Sequence, residues 1–160
     1  MNLEGALLWG FAATAVLSVL LVASQGLGLS RMSLPFILGT VVTSDRDTAM
    51  LWGVLMHFVN GWVFAFLYVA IFDQLARASW WLGALVGLVH ALLVLMAVLP
   101  VLPDLHPRMA SERHGPTPTR LLQPPGFLGL NYGYQTPLVS IVAHIAFGVI
   151  LGTFYSPLSP

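Results

Sequence analysis

The sequence predicts an all-α, polytopic membrane protein in which four transmembrane helices form two tandem hairpins, and three observations carry that prediction. The first is composition. Of the 160 residues 58% are hydrophobic and 8% charged, whereas ordinary soluble domains carry about a quarter charged residues, and mean hydropathy is +0.86. The second is run length, because stretches 7–29, 49–72, 80–102 and 136–155 each lack Asp, Glu, Lys and Arg. At about 1.5 Å per residue each is long enough to cross roughly 30 Å of hydrocarbon. The third is internal repetition, taken up below. Backbone groups in lipid must be satisfied within the segment, and no alternating strand pattern is present, so the spans are expected to be helices of one domain, 1–160.

The first span begins after "MNLEG", which lacks the basic residues of a signal peptide, and it reads as a retained helix. The connection that follows, 30–48, contains "SRMSLPFILGTVVTSDRD", whose middle is too short to cross and too apolar for a solvated loop. It is expected to lie in the interface or against the helix ends, since re-entrant backbone is tolerated only where protein buries it. The second span carries His57 and Asn60, and the third carries His90. The connection 103–135 has a proline-rich polar centre, "ASERHGPTPTRLLQPPG", expected to be mobile, and an aromatic end, "FLGLNYGYQTP", expected at headgroup level. Thr136 is the expected N-cap of the last span, with Pro137 in its first turn. Trp80, Trp81, Tyr68 and Tyr155 are expected at the opposite interface.

Arg31, Arg46, Arg108, Arg113 and Arg120 fall in the first and third connections, and only Arg77 lies opposite. Basic residues in short loops stay on the cytoplasmic side, which predicts loops 30–48 and 103–135 in the cytoplasm and both termini outside. The formal net charge of +0 gives no electrostatic case for nucleic acid. With no cysteine in the chain, disulfides, thiolate metal sites and a cysteine nucleophile are excluded.

The two halves, about 1–78 and 79–160, repeat one another in order. Gly5-Ala6-Leu7 matches Gly83-Ala84-Leu85, and Arg31-Met32 matches Arg108-Met109. "PFILG" (35–39) matches "PGFLG" (125–129), and "HFVNGWVFAFLY" from His57 matches "HIAFGVILGTFY" from His144. Both copies would enter the membrane from the same side, giving a parallel repeat with its pseudo-two-fold axis along the membrane normal, the second copy carrying an insertion of about 13 residues.

On a helix, offsets of four, eight and eleven residues return to nearly one stripe, so His57 shares a face with Gly53, Gly61 and Ala65, and His144 with Ser140, Gly148 and Gly152. Small stripes are where membrane helices approach, so both imidazoles are expected to point inward and face each other about 12 Å deep. The simplest role is interhelical hydrogen bonding with Ser140, Asn60 or backbone carbonyls. Three further chemistries suit buried imidazoles, which are costly in a membrane. His57 and His144 could ligate a b-type haem iron, with Gly61 and Gly148 leaving room for the porphyrin. His57, His90 and His144, joined by Asp104 and His106 of "PDLHPRM", could hold a transition metal or relay protons. An apolar ligand such as a quinone or other lipid could accept a hydrogen bond from one histidine. Arg31 and Arg108, at matching positions past their helices, are expected to meet lipid headgroups or another anion.

No GxSxG, HExxH or phosphate-loop motif is present, so nothing in the sequence supports a catalytic site. "LPFILGT" before an HxxxG helix, then "HPRM", then "TP" before a second HxxxG helix, resembles a family of small uncharacterised bacterial four-helix membrane proteins. The resemblance covers most of the chain and implies a multi-pass protein of the bacterial inner membrane without assigning it an activity. The expected function is that of a non-enzymatic accessory or ligand-holding bundle, alone, as a homo-oligomer or with other membrane subunits. The alternative is a haem- or metal-binding protein ligated by His57 and His144.

Overall fold

A computed structural model describes residues 1–111, 113 and 115–157. Four helical spans long and apolar enough to cross a membrane are present: Leu3–Gly26, Arg46–Gln74, Trp80–Leu105 and Thr136–Phe154. The helices are α1 (Leu3–Gly26), α2 (Leu34–Gly39), α3 (Arg46–Gln74), α4 (Trp80–Leu93), α5 (Leu99–Leu105) and α6 (Thr136–Phe154), and no strand is formed among the described residues. The first two spans begin earlier than apolarity alone indicates, because polar caps start them: the Asn2 side chain accepts from the Gly5 N–H, and Asp45 accepts from the Thr48 N–H. Thr136 is not the N-cap of α6. It is the first helical residue, and its hydroxyl is bonded to Ser30 at 2.8 Å, which ties the end of the first span to the start of the last.

Glycines set the order of the bundle. A Cβ placed on Gly83 would lie 1.9 Å from the Gly148 carbonyl oxygen, and one on Gly87 would lie 2.4 Å from that of His144, so α4 and α6 run backbone against backbone. Gly10 meets Ala65 and Gly61 meets Thr14, which joins α1 to α3. α6 also lies along α1, so the spans are arranged α3, α1, α6, α4, and α3 and α4 hardly touch through their backbones although they are consecutive.

Two local features shape that gap. Between α4 and α5 the third span passes through a π-helical segment, Val94–Val98, in which the Leu99 N–H reaches back to the Val94 carbonyl. Pro100 and Pro103 follow within α5. Each proline lacks an N–H and crowds the preceding turn, and insertion of a wider turn relieves that conflict. The apolar middle of the first connection forms α2, which lies directly on α3: a Cβ on Gly53 would fall 1.6 Å from the Pro35 carbonyl oxygen. In the second long connection Phe127–Tyr132 forms short 3₁₀-type turns interrupted by a kink, where Leu128 (φ 57°) and Gly129 (φ 72°) are left-handed rather than helical. In the same connection isolated bridges join Met109 to Leu122 and Thr117 to Arg120.

Candidate ligand cavity

Where α3 and the third span part, the bundle encloses a cavity of about 640 Å³. Its inner wall is Thr14 and Leu17 of α1 with His144 and Phe147 of α6, and Ile37 and Leu38 of α2 close its loop end. The outer lip is apolar and faces outward: Leu55, Val59 and Val63 from α3 and Val98 from the π segment are all exposed. In a protein that spans a membrane, that side is the one turned toward acyl chains. The cavity is therefore open sideways, and among the described residues no Asp, Glu, Lys or Arg lines it.

All three intramembrane histidines reach this space, and each is almost completely buried. Their hydrogen bonding differs. The His144 Nδ1–H donates to the Ser140 carbonyl at 2.7 Å, one helical turn back, which leaves Nε2 as the free nitrogen. The Tyr68 hydroxyl donates to or accepts from His90 Nδ1 at 3.1 Å, and Phe64 stacks on the His90 ring at 3.8 Å. The space between α3 and α4 is thus filled by side chains rather than by backbone approach. His90 also packs edge-on to His144, with ring centroids 4.6 Å apart at 81°. His57 stands apart. It is 6% exposed, and neither its Nδ1 nor its Nε2 has a hydrogen-bond partner. A buried polar group left without a partner costs about 1–3 kcal/mol, so an orphaned imidazole on a cavity wall calls for an occupant.

The histidine ring packed against His144 is that of His90 on α4, rather than His57 as expected. Gly61 and Gly148 do not open slots beside the histidines: a Cβ on Gly61 would lie 2.0 Å from Thr14 Oγ1, and one on Gly148 would lie 2.0 Å from the Gly83 carbonyl oxygen. Both glycines serve helix approach. Asp104 and His106 are not drawn toward the three histidines. Asp104 pairs with Arg113 at 3.8 Å, and among the described residues no three His, Asp or Glu side chains converge as a metal set. Asn60 lines the cavity from its exposed lip rather than from the sealed interior, and no hydrogen bond within the protein engages its amide.

Tyr68 points into the bundle rather than outward, as a belt aromatic would. It is 2% exposed and holds His90. Its offset of eleven from His57 places it on the same stripe, which was the signal for its inward role. Tyr155 closes the end of the bundle opposite the long connections, donating to Asp73 at 2.9 Å and accepting from the Asn2 N–H at 3.0 Å.

At the other end Arg31 and Arg108 each reach a backbone carbonyl of the other half of the chain. Arg31 Nη2 donates to the Asn131 carbonyl at 2.7 Å, two residues past Gly129. Arg108 Nη1 donates to the Thr40 carbonyl at 2.6 Å and to that of Val41, two residues past Gly39, at 3.1 Å. Their guanidinium groups are bound to protein carbonyls in this structure. His106, 1% exposed, adds a second tie to α2: its Nε2–H donates to the Ile37 carbonyl at 2.9 Å, and its Nδ1 accepts from the Arg108 N–H at 3.1 Å. Burial lowers the His106 pKa, and Arg108 and Arg120 lower it further against the opposing pull of the Ile37 bond.

A four-span helical bundle with an apolar, side-opening cavity and one unpartnered imidazole is what the fold and this site define. Comparison with protein-family models, curated proteins and solved structures finds no match for the chain.

Proposed function

We propose that this protein is a non-enzymatic, multi-pass accessory of the bacterial inner membrane that holds an apolar, membrane-resident ligand in its lateral cavity. The observation that carries the proposal is His57, buried on the cavity wall with both ring nitrogens unpaired. The cavity lies within the roughly 300–1,000 Å³ of ordinary ligand sites and has their form, apolar walls with a few polar groups. Entry is from the bilayer between the second and third spans. Loops 30–48 and 103–135 lie in the cytoplasm and both termini outside, a placement supported by the five arginines at one end of the bundle. The reciprocal arginine contacts support two tandem hairpins related by a parallel pseudo-two-fold.

The test is extraction in a mild detergent followed by mass spectrometry of co-purifying small molecules. A stoichiometric lipid-soluble compound is expected with the wild type and is lost in His57→Phe. A haem or metal site is the second reading, favoured by the Ser140 bond that leaves His144 Nε2 free, the orientation a metal ligand requires. That reading predicts a Soret band or a bound transition metal in the same preparation, and loss of either in His144→Leu.

A further inference from the structure

Resting on the ligand-holding function just proposed, the geometry points to one class of occupant: we infer that the cavity takes an uncharged lipid whose polar head carries a carbonyl or hydroxyl oxygen, as membrane quinones and quinols do, with its tail leaving between the second and third spans. Three observations converge on that chemistry. Among the described residues no carboxylate or cation lines the cavity, so a fatty acid or phospholipid headgroup would be buried without a counter-charge, an expensive arrangement in a low dielectric. A neutral imidazole offers one N–H donor and one nitrogen acceptor in either tautomer, and both nitrogens of His57 are free. A carbonyl oxygen takes the donor and a hydroxyl satisfies the acceptor.

The second polar group is Asn60, three residues on and so on the adjoining part of the same helix face. Its amide lines the cavity at the lip without a partner inside the protein. A head held between His57 and Asn60 would have its ring against Trp52 or Phe147, which line the same space, and its tail over Val59 and Val63. The exposed apolar lip gives that tail a continuous path into the acyl chains.

Trp52 supplies the experiment. The protein is placed in phosphatidylcholine nanodiscs and titrated with a decyl-tailed benzoquinone while tryptophan emission is followed. Saturable quenching is expected that disappears in Trp52→Phe. In His57→Phe binding weakens roughly tenfold, and His57→Gln, which keeps a donor and an acceptor, stays within about threefold of wild type. Neither substitution breaks a hydrogen bond present in the protein, and monodispersity with unchanged helical circular dichroism checks the fold. Decanol, neutral and of matched length, is expected to displace the quinone, and ionised decanoate is not. Displacement by decanoate as effective as by decanol would overturn the uncharged-head assignment and leave the ligand-holding function standing. Saturable, Trp52-dependent quenching that ignores His57→Phe would overturn the placement of the head. No saturable quenching, together with no lipid-soluble compound in the extract, would overturn the ligand-holding function itself.

Discussion

At the scale of single residues, buried polar groups in this bundle fall into two kinds with opposite responses to substitution. His90 is satisfied by Tyr68, so Tyr68→Phe leaves Nδ1 unpaired and is expected to lower stability by about 0.6–1 kcal/mol in a detergent unfolding titration. His57 is unsatisfied, so His57→Leu removes an uncompensated polar group and is expected to raise the stability of ligand-free protein by about 1 kcal/mol in the same assay. A fall would mean that His57 has a partner inside the protein. His106 gives a third response, set by pH. Its pKa is lowered in the folded protein, chiefly by burial, so the unfolded or opened state binds the proton more readily. The His106 contact is therefore complete above about pH 6.5 and weakens as pH falls below that value. Protonating Nδ1 removes the acceptor for the Arg108 N–H. Hydrogen exchange at the Arg108 amide, corrected for its intrinsic rate, should accelerate below pH 6.5 in the wild type and show no such step in His106→Asn. Histidines were visible in the sequence as candidates, but which one lacks a partner was not. Hydrogen bonding across spans depends on helix placement, and nothing local records that Tyr68 meets a residue 22 positions later.

At the scale of elements, the four spans were legible because lipid imposes length and apolarity on every crossing segment. Their ends were less so, since caps such as Asp45 carry α3 beyond its apolar run. Packing faces were only partly readable. Helices apolar all round carry little facial information, and what did survive was the small-residue stripe that marks close approach. Gly53, Gly61, Gly148 and Gly152 all lie at helix contacts. Gly83→Ala should therefore force α4 and α6 apart and cost about 1–3 kcal/mol, as overpacking does, measured by thermal unfolding of the detergent-solubilised protein. Gly26→Ala is the matched control, for nothing lies within 4 Å of a Cβ there, and it should be neutral or stabilising. The π-helical segment was not anticipated, although Pro100 and Pro103, whose missing donors disturb the ladder above them, lie just beyond it. Its consequence, a wider turn that sets Val94 and Val98 on the cavity wall, emerges only when the span is set against α3.

At the scale of the molecule, the two halves exchange contacts through Arg31 and Arg108, each reaching the segment just past the other half's proline turn. Such a clasp is expected to behave as a pair. Arg108→Ala should cost about 1 kcal/mol, and Arg31→Ala combined with it should add little beyond, whereas strict additivity in a double-mutant cycle would mean that the contacts act separately. The sequence showed both arginines just past their helices without showing that they cross over, because it does not record which segment a long side chain touches. The open side between α3 and the π-helical part of the third span was likewise hidden, since consecutive spans with a short link are the pair one expects to find zipped together. α6 is the span that joins the first hairpin to the third span, lying against both α1 and α4. It is also the last of the four to leave the ribosome. Until it is inserted, a nascent chain holds one paired hairpin and a solitary third segment with its Gly83 and Gly87 notch bare, so completion of the bundle waits for α6. Messages truncated before codon 136 should yield products that membrane quality-control proteases remove.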